Sequence, residues 1–300
     1  MKRFAFVMDP LEKLDLPWDT SLCLLRELAS RGHRTFLFTA ASLSLEGDRT
    51  RGKGREIIPL SNLRYRQDPE QKFDLADFQA VLIRKDPPFD AGYLALTYLL
   101  EPLAKKTRVI NHPRGIRNAN EKLFGLGFPR WSPPTLVSSN PEEILAFQKR
   151  IRTDLVIKPL YEKGGKGVFL LKRSARLRLK GEPVVAQKFI PVPTGIGDKR
   201  ILLWKGKILG AFARIPKAGE FRSNLSLGGR FDRCRITEQE KQLVRSLGPT
   251  LLKEGLLFVG IDVRGGKLIE VNVTSPAGLV ELDHLYGPGF TARVAADLSR

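Results

Sequence analysis

Residues 258–274 alternate between apolar and other side chains on both sides of the pair Gly265-Gly266, which predicts a β-hairpin. If its turn has an odd number of residues, for example 264–266, the β-branched side chains of both strands bury on one face. Asp262, Glu270 and Asn272 then converge on the other face, whereas a two-residue turn would separate Asp262 from Glu270. The predicted apolar row comprises Val259, Ile261, Val263, Ile269, Val271 and Val273.

The three polar side chains of this hairpin carry oxygen ligands, and two of them are negatively charged. Such groups repel each other unless a cation lies between them. Mg²⁺ prefers oxygen ligands and commonly completes its shell with substrate phosphates and water. The hairpin therefore predicts a magnesium site at Asp262, Glu270 and Asn272, with Mn²⁺ as an alternative ion. An exposed hairpin face with scattered polar residues is the competing interpretation.

The first third of the chain alternates strand-like apolar runs with helical patterns. A strand at 3–9, a helix at 18–31 and a strand at 34–39 indicate a βαβ unit, and residues 81–111 continue the alternation. This pattern predicts an α/β domain over residues 1–120, with a parallel sheet covered by helices. The glycine- and arginine-rich stretch 47–55 is expected to form a surface loop.

The pattern in the rest of the chain predicts an α+β structure that divides into two further units. Residues 121–190 contain a helix and three short strands around a glycine-rich loop. Residues 191–300 contain hairpin candidates at 200–214 and 258–273, separated by a helix that Thr237 caps, with Glu240 completing a capping box.

Several cations are placed where they could meet phosphate. Lys158 ends an apolar strand and needs an anion or solvent, and the loop after it contains Gly164, Gly165 and Gly167, whose amides could approach phosphate oxygens. Lys122 is a second candidate cation. Each feature alone is also compatible with a plain turn or a surface lysine. Further candidates for the nucleotide site flank a predicted hairpin, and their arginines could hold transferring phosphoryl oxygens: Asp198, Lys199, Arg200 and Arg214.

Charge, apolar runs and cysteine content limit the ligands and the location that we expect of the protein. The 51 Lys and Arg against 32 Asp and Glu give a net charge of +19, densest in 163–180, which attracts nucleotides and other polyanions. No apolar run is long enough for a membrane helix, and Asp9-Pro10 interrupts the N-terminal run before it could act as a signal peptide. Two cysteines without metal-type spacing agree with a reducing compartment, so we expect a cytoplasmic protein.

Several strings together resemble bacterial glutathione synthetases of the ATP-grasp superfamily over nearly the whole chain. They read Met8-Asp9-Pro10, Arg84-Lys85-Asp86-Pro87-Pro88-Phe89-Asp90, Asn120-Glu121-Lys122-Leu123-Phe124, Ala213-Arg214-Ile215-Pro216, Gly228-Gly229-Arg230 and Asn272-Val273-Thr274-Ser275-Pro276. The resemblance implies an ATP-grasp fold after an N-terminal domain. It also implies an ATP-dependent ligase that joins γ-glutamylcysteine to glycine through an acyl phosphate, and a homo-oligomer, which we expect to be a tetramer.

The resemblance also implies roles for individual residues. Lys122 and Lys158 would hold ATP phosphates under a lid formed by the glycine loop, and Arg214 would stabilise the developing phosphoryl charge, with Lys158 and Arg230 as further catalytic candidates. The connection expected to bind adenine is Gln187, Lys188, Phe189 and Ile190. The residues expected at the peptide substrate are Arg84, Asn224, Gly228, Gly229, Arg230, Ser275 and Pro276.

Two departures from the family pattern keep alternatives open. Glu162 lies in the lid near the expected phosphates, and the stretch 277–281 lacks an arginine before Glu281. The second departure leaves open an ATP-grasp ligase with another acid or amine. A non-catalytic protein that binds nucleotides, or nucleic acid through its basic surface, is the alternative of another class.

Overall fold

The computed structural model describes residues 1–162, 164–173, 175–179, 181–193 and 197–300, which form three β-sheets in succession along the chain. Among these residues, no helix is both long and apolar enough to cross a membrane.

The first sheet has a parallel centre, which confirms the predicted βαβ pattern. Its strands run in the order β3-β4-β2-β1-β7-β8, with β5 and β6 paired to β4. Asp19 caps the first helix by accepting a hydrogen bond from the amide of Leu22. The elements are β1 (Arg3–Val7), α1 (Thr20–Ser30), β2 (Arg34–Phe38), β3 (Leu43–Glu46), β4 (Arg49–Pro59), β5 (Tyr65–Gln67), β6 (Gln71–Asp74), β7 (Ala80–Ile83), α2 (Ala91–Leu100), β8 (Arg108–Ile110) and α3 (Pro113–Asn118).

The prediction of a surface loop at 47–55 is wrong, because most of this stretch belongs to the long strand β4. Its arginines and lysine point outward, while Gly52 and Gly54 alternate with them on the buried side. A Cβ on Gly54 would lie 2.4 Å from the Phe38 ring, so only glycine lets the strand pass over that ring. A period-2 pattern with glycine on its inner face lacks the apolar signal of an ordinary strand.

The second sheet is antiparallel, in the order β11-β10-β12-β9, and one helix packs on it. Ile144 and Phe147 of that helix share a core with Leu155 and Ile157 of the sheet. The elements are β9 (Thr135–Ser138), α4 (Pro141–Ile151), β10 (Leu155–Pro159), β11 (Phe169–Leu171) and β12 (Val184–Lys188).

The third sheet is also antiparallel, in the order β15-β14-β13-β16-β17, and it shares one hydrophobic core with the first part of the chain. The predicted capping box is confirmed, since Thr237 and Glu240 exchange hydrogen bonds at the start of its long helix. The elements are β13 (Asp198–Trp204), β14 (Lys207–Ile215), β15 (Arg230–Arg233), α5 (Glu238–Lys253), β16 (Phe258–Arg264), β17 (Lys267–Asn272), α6 (Leu279–Tyr286) and α7 (Phe290–Leu298).

Candidate active site

A cavity of about 430 Å³ lies between the second and third sheets, next to the residues that follow β7. Most residues that the sequence singled out line it, although they come from widely separated parts of the chain. These are Lys122, Lys158, Gly164, Gly165, Gln187, Lys188, Phe189, Ile190, Asp198, Arg200, Arg214, Asn224, Asp262, Glu270, Asn272 and Ser275.

The β16–β17 hairpin brings its polar row to the cavity by a route that differs from the prediction. The expected odd-numbered turn is wrong: Arg264 pairs with Lys267 across a two-residue turn, in which Gly265 and Gly266 have φ of +54° and +73°. The register then shifts beyond Val263, so that Asp262 still lies directly opposite Glu270. A β-bulge therefore supplies the odd residue that the prediction had assigned to the turn.

The bulge exchanges two apolar side chains. Leu268 pairs with Val263 and is 1% exposed, so it occupies the buried position predicted for Ile269. Ile269 lines the cavity instead, and its carbonyl oxygen accepts a hydrogen bond from Lys158 Nζ at 3.2 Å. The same irregularity thus keeps the polar row in register and links the third sheet to the second.

Asp262 is held between two arginines. Arg200 donates Nε and Nη2 to its two oxygens at 2.6 and 3.2 Å, and Arg214 Nη2 lies 2.8 Å from Oδ2. Burial favours a raised pKa for Asp262, but the two guanidinium groups outweigh burial and hold that pKa at about 2. Asp262 is therefore a carboxylate at neutral pH.

Arg214 is buried between two carboxylates. Its Nε donates to Asp198 Oδ1 at 2.6 Å, opposite its contact with Asp262. Burial alone would lower the pKa of Arg214, but Asp198 and Asp262 together raise it above its ordinary value. The side chain is thus a fixed positive charge, held in one orientation at the cavity wall.

Two lysines reach the cavity from the side of the second sheet. Lys158 is 7% exposed and donates to Gln187 Oε1 at 3.0 Å, while Lys122 donates to the carbonyl oxygens of Leu160 and Glu162 at 3.4 and 2.5 Å. Burial lowers the pKa of Lys158, Glu270 opposes that shift and Lys122 adds to it. Within the described ranges both amino groups contact neutral oxygens only, so an anion in the cavity would be strongly favoured.

The end of β12 and the residues after it form the far wall of the cavity. Arg264 of the hairpin donates Nε to the Ile190 carbonyl at 2.8 Å, and its guanidinium carbon lies 5.6 Å from the centre of the Phe189 ring. An apolar side chain, an aromatic ring and a fixed backbone are suited to a flat base such as adenine.

Some residues expected to bind ATP lie elsewhere. Lys199 alternates with Asp198 and Arg200 on β13, so it points to the opposite face of the sheet, where its Nζ is 2.8 Å from Glu240. Gly167 does not line the cavity. Lys163 and Lys180, at the ends of the basic stretch, lie outside the described residues.

Several residues expected at the substrate also lie outside the cavity lining. Arg230 is exposed on the edge strand β15, and Gly228 and Gly229 form the turn before it. Arg84 and Pro276 border a separate cavity of about 10 Å³. Arg84 is 5% exposed and donates Nε to Ser21 Oγ at 3.0 Å, which places its guanidinium behind the cavity wall.

The sequence argument gave no role to several lining residues, among them Glu121, Ser223, Arg264 and Thr274. Burial raises the pKa of Glu121, although hydrogen bonds from Thr274 partly offset this. Ser223 Oγ is buried and has no hydrogen-bond partner among the described residues. Glu121 and Thr274 lie in strings that carry the family resemblance, but the contact between them joins distant segments and has no local signal.

The stretch that departs from the family pattern contains the buried acid Glu281. Glu281 is 5% exposed, and its Oε2 has no hydrogen-bond partner among the described residues. Burial raises the pKa of Glu281. Val280 stands where the resemblance implies an arginine, so the preceding side chain cannot neutralise this acid.

Comparisons of the chain with family models and with individual proteins indicate the same family. The family model described as prokaryotic glutathione synthetase, N-terminal domain, matches residues 2–117, and the one described as prokaryotic glutathione synthetase, ATP-grasp domain, matches residues 121–287. The chain is 38% identical to a glutathione synthetase of Bradyrhizobium diazoefficiens, over 97% of this chain and 95% of that protein. It is 40% identical to one of Synechococcus elongatus, over 95% and 94%.

Solved structures share the fold at low sequence identity. D-cycloserine synthetase DcsG has a TM-score of 0.66 at 18% identity and is matched over 99% of both chains. The ATP-grasp ligase PsnB has a TM-score of 0.65 at 18% identity, over 99% of this chain and 97% of that chain. These likenesses confirm the predicted ATP-grasp fold.

The arginine-bound carboxylate predicts a pH-dependent effect of Asp262→Asn. The pKa of Asp262 is lowered in the folded state, so its ionisation stabilises the fold above about pH 4, the usual aspartate pKa, and this contribution is lost as the pH falls through about 2. The variant should therefore be less stable than the wild type at pH 7, and the difference should shrink between pH 4 and pH 2. Urea unfolding at pH 7, 4 and 3 measures it, and a difference independent of pH would contradict the charge pairing.

Proposed function

The chain belongs to the prokaryotic glutathione synthetase family and is an ATP-dependent ligase of glutathione synthesis, and we propose that the cavity between its second and third sheets is the active site. One observation carries this proposal. The oxygen row of the hairpin faces the cavity together with the buried amino groups of Lys122 and Lys158. A triphosphate is a ligand whose charge suits both groups, provided that a cation lies on the side of the carboxylates.

The acid substrate needs activation because hydroxide is a poor leaving group. In the proposed reaction a carboxylate oxygen of γ-glutamylcysteine attacks the terminal phosphorus of ATP, and ADP leaves with the electrons of the broken P–O bond. The amine of glycine then attacks the acyl carbon of the acyl phosphate and loses a proton, and phosphate leaves. The residues at the cavity must therefore bind phosphate, stabilise its extra charge and exclude water.

The cavity residues divide these tasks by position. We assign adenine to the wall at 187–190, and the phosphates to Lys122 and Lys158. Arg214, which is fixed by two carboxylates, would stabilise charge on the transferring phosphoryl group. Gly164 and Gly165 line the opposite wall and would cover the acyl phosphate.

The donor set fits a divalent ion bound jointly with ATP. Glu270 and Asn272 offer oxygens at the cavity, with Asp262 beside them, and Asn272 Nδ2 is engaged with the Gly260 carbonyl at 3.2 Å. In the described part of the chain no three His, Cys, Asp or Glu residues are grouped to hold a metal alone. We propose that Glu270, Asn272 and Asp262 hold Mg²⁺ or Mn²⁺, with phosphates and water as further ligands. Such an ion would withdraw charge from phosphate oxygens.

Assembly and location are also proposals that rest on the family. We expect a homo-oligomer, a tetramer by resemblance, which light scattering would measure. We also propose a cytoplasmic location, which is compatible with two cysteines that are both free.

The direct test of the reaction is phosphate release by the purified protein. With ATP and Mg²⁺, release should require γ-glutamylcysteine and glycine together. The acyl phosphate forms only on the acid, and its phosphate leaves only when the amine attacks. No release with both substrates would contradict the function, and release with another acid and amine would reassign the substrates. Salt-sensitive binding of nucleic acid without turnover would favour the non-catalytic alternative.

Lys158→Met should separate stability from ATP binding. Losing a charge-assisted contact with phosphate should weaken ATP binding by about 10- to 100-fold. The melting temperature without ATP should not fall, because methionine fills the space of the lysine stem and removes a buried charge close to Lys122. Calorimetric titration with ATP and thermal unfolding measure the two effects. Lys241→Met, on the exposed side of α5, is the matched control, and normal ATP affinity of the Lys158 variant would remove the assignment.

Glu270→Gln should lower turnover while the fold is retained. Glutamine has the size of glutamate but lacks the charge that a divalent ion requires, so we expect a loss of about 100-fold or more in kcat. Glu238→Gln, at an exposed position of α5, should have wild-type activity. Circular dichroism checks the fold of both variants, and nearly normal turnover of the Glu270 variant would exclude this residue as a metal ligand.

A further inference from the structure

Glu121 contacts the end of β17 with both its side chain and its backbone. Its Oε1 accepts hydrogen bonds from Thr274 Oγ1 at 2.7 Å, from the Val273 amide at 3.2 Å and from the Thr274 amide at 3.3 Å. Its carbonyl oxygen accepts one from the Val271 amide at 2.8 Å. The proposed reaction assigns no task to this residue.

These contacts complete an edge of the third sheet. Strand β17 is the last in its sheet, so alternate amides point away from β16 and need acceptors. Glu121 supplies acceptors for the amides of Val271 and Val273, the two neighbours of Asn272. The direction in which Asn272 faces the cavity therefore depends on Glu121.

The residue after Glu121 reaches the other side of the cavity. Lys122 Nζ donates to the carbonyl oxygens of Leu160 and Glu162, which follow β10. Two consecutive residues thus connect the end of the hairpin with the segment after β10. This connection sets the separation between the amino group of Lys122 and the oxygen row of the hairpin.

We propose that Glu121 is a positioning residue for phosphoryl transfer, which holds Lys122 and the row formed by Glu270 and Asn272 at a fixed separation. The proposal rests on the function proposed above. Three donors of the protein share a single oxygen of the Glu121 carboxylate, so its action is exerted through geometry. Misplacement of reacting groups by about 1 Å costs about 100-fold in rate, whereas ground-state binding of ATP tolerates it better.

Glu121→Ala and Glu121→Gln separate geometry from charge. The alanine variant should lose about 100-fold in kcat while KM for ATP changes by less than about threefold. Glutamine retains an acceptor oxygen but not the charge, so it should restore kcat to within about tenfold of the wild type. Equal loss in both variants would overturn the proposal, because it would show that the charge of Glu121 is what matters.

A matched variant separates positioning from stability. Glu240 is also a buried glutamate, 3% exposed, and it caps α5 away from the cavity. Glu240→Ala should lower the melting temperature and leave kcat per folded molecule unchanged. If Glu121→Ala reduced kcat no more than this control, Glu121 would be merely structural and the proposal would fail.

Thr274, which makes the shortest contact with Glu121, allows a second test that does not require the Glu121→Ala variant to fold. Thr274→Val removes the hydroxyl donor and should lower kcat, Thr274→Ser should restore it, and adding Thr274→Val to Glu121→Gln should cost less than the sum of both changes. Strict additivity would contradict a shared role. Wild-type phosphate release in the same assay tests the proposed function separately, since these variants are compared only with an active wild type.

Discussion

The site depends on the burial of one apolar row in the final hairpin. Val259, Ile261 and Val263 are almost completely buried, and so are their partners on the return strand. Because side chains alternate across a strand, burying this row forces Asp262 and Glu270 to the opposite face, where the cavity lies. A two-residue turn of two glycines would by itself break this arrangement. The bulge at Ile269 restores it. Asp262 and Glu270 therefore lie side by side on one face, because the core requires a continuous apolar row on the other.

The electrostatics of the cavity follow from the close packing of carboxylates, arginines and lysines along its walls. Asp262 and Asp198 both form salt bridges with Arg214, and the arginines beside Asp262 hold the pKa of that carboxyl at about 2, while the two carboxylates raise the pKa of Arg214. Lys122 and Lys158 have neutral hydrogen-bond partners in the described structure, and Glu270 forms no salt bridge with another described residue. The arginine network is therefore internally balanced, while the lysines and Glu270 retain charge for ligands. This separation suits a site that binds an anion and a cation together and releases them after each turnover.

Local patterns predicted several of the regular elements but not the long strand β4. The Thr237 cap, the parallel βαβ unit and the three polar residues of the hairpin all have signals within a few residues. The predictions failed where the cause is tertiary. Gly52 and Gly54 make β4 look like a loop because the side chains of Leu43 and Phe38 occupy their side-chain space. The bulge has no local signature, and the orientation of Lys199 follows from strand alternation only after the register of β13 is known. Glu121 is recognised only once the end of β17 is seen beside it.

The departure at 277–281 affects the wall of the cavity less than the sequence suggested. Ala277 lines the cavity, but its contact with Arg200 Nη1, at 3.3 Å, is made by its carbonyl oxygen and does not depend on the side chain. Glu281 is buried and is not among the residues that line the cavity. Glu281, which follows Val280, is therefore a buried acid behind the wall whose pKa is raised by burial, while the charged groups that line the cavity stay in place. A change confined to the layer behind the wall is compatible with the same reaction, which agrees with the family to which the chain belongs.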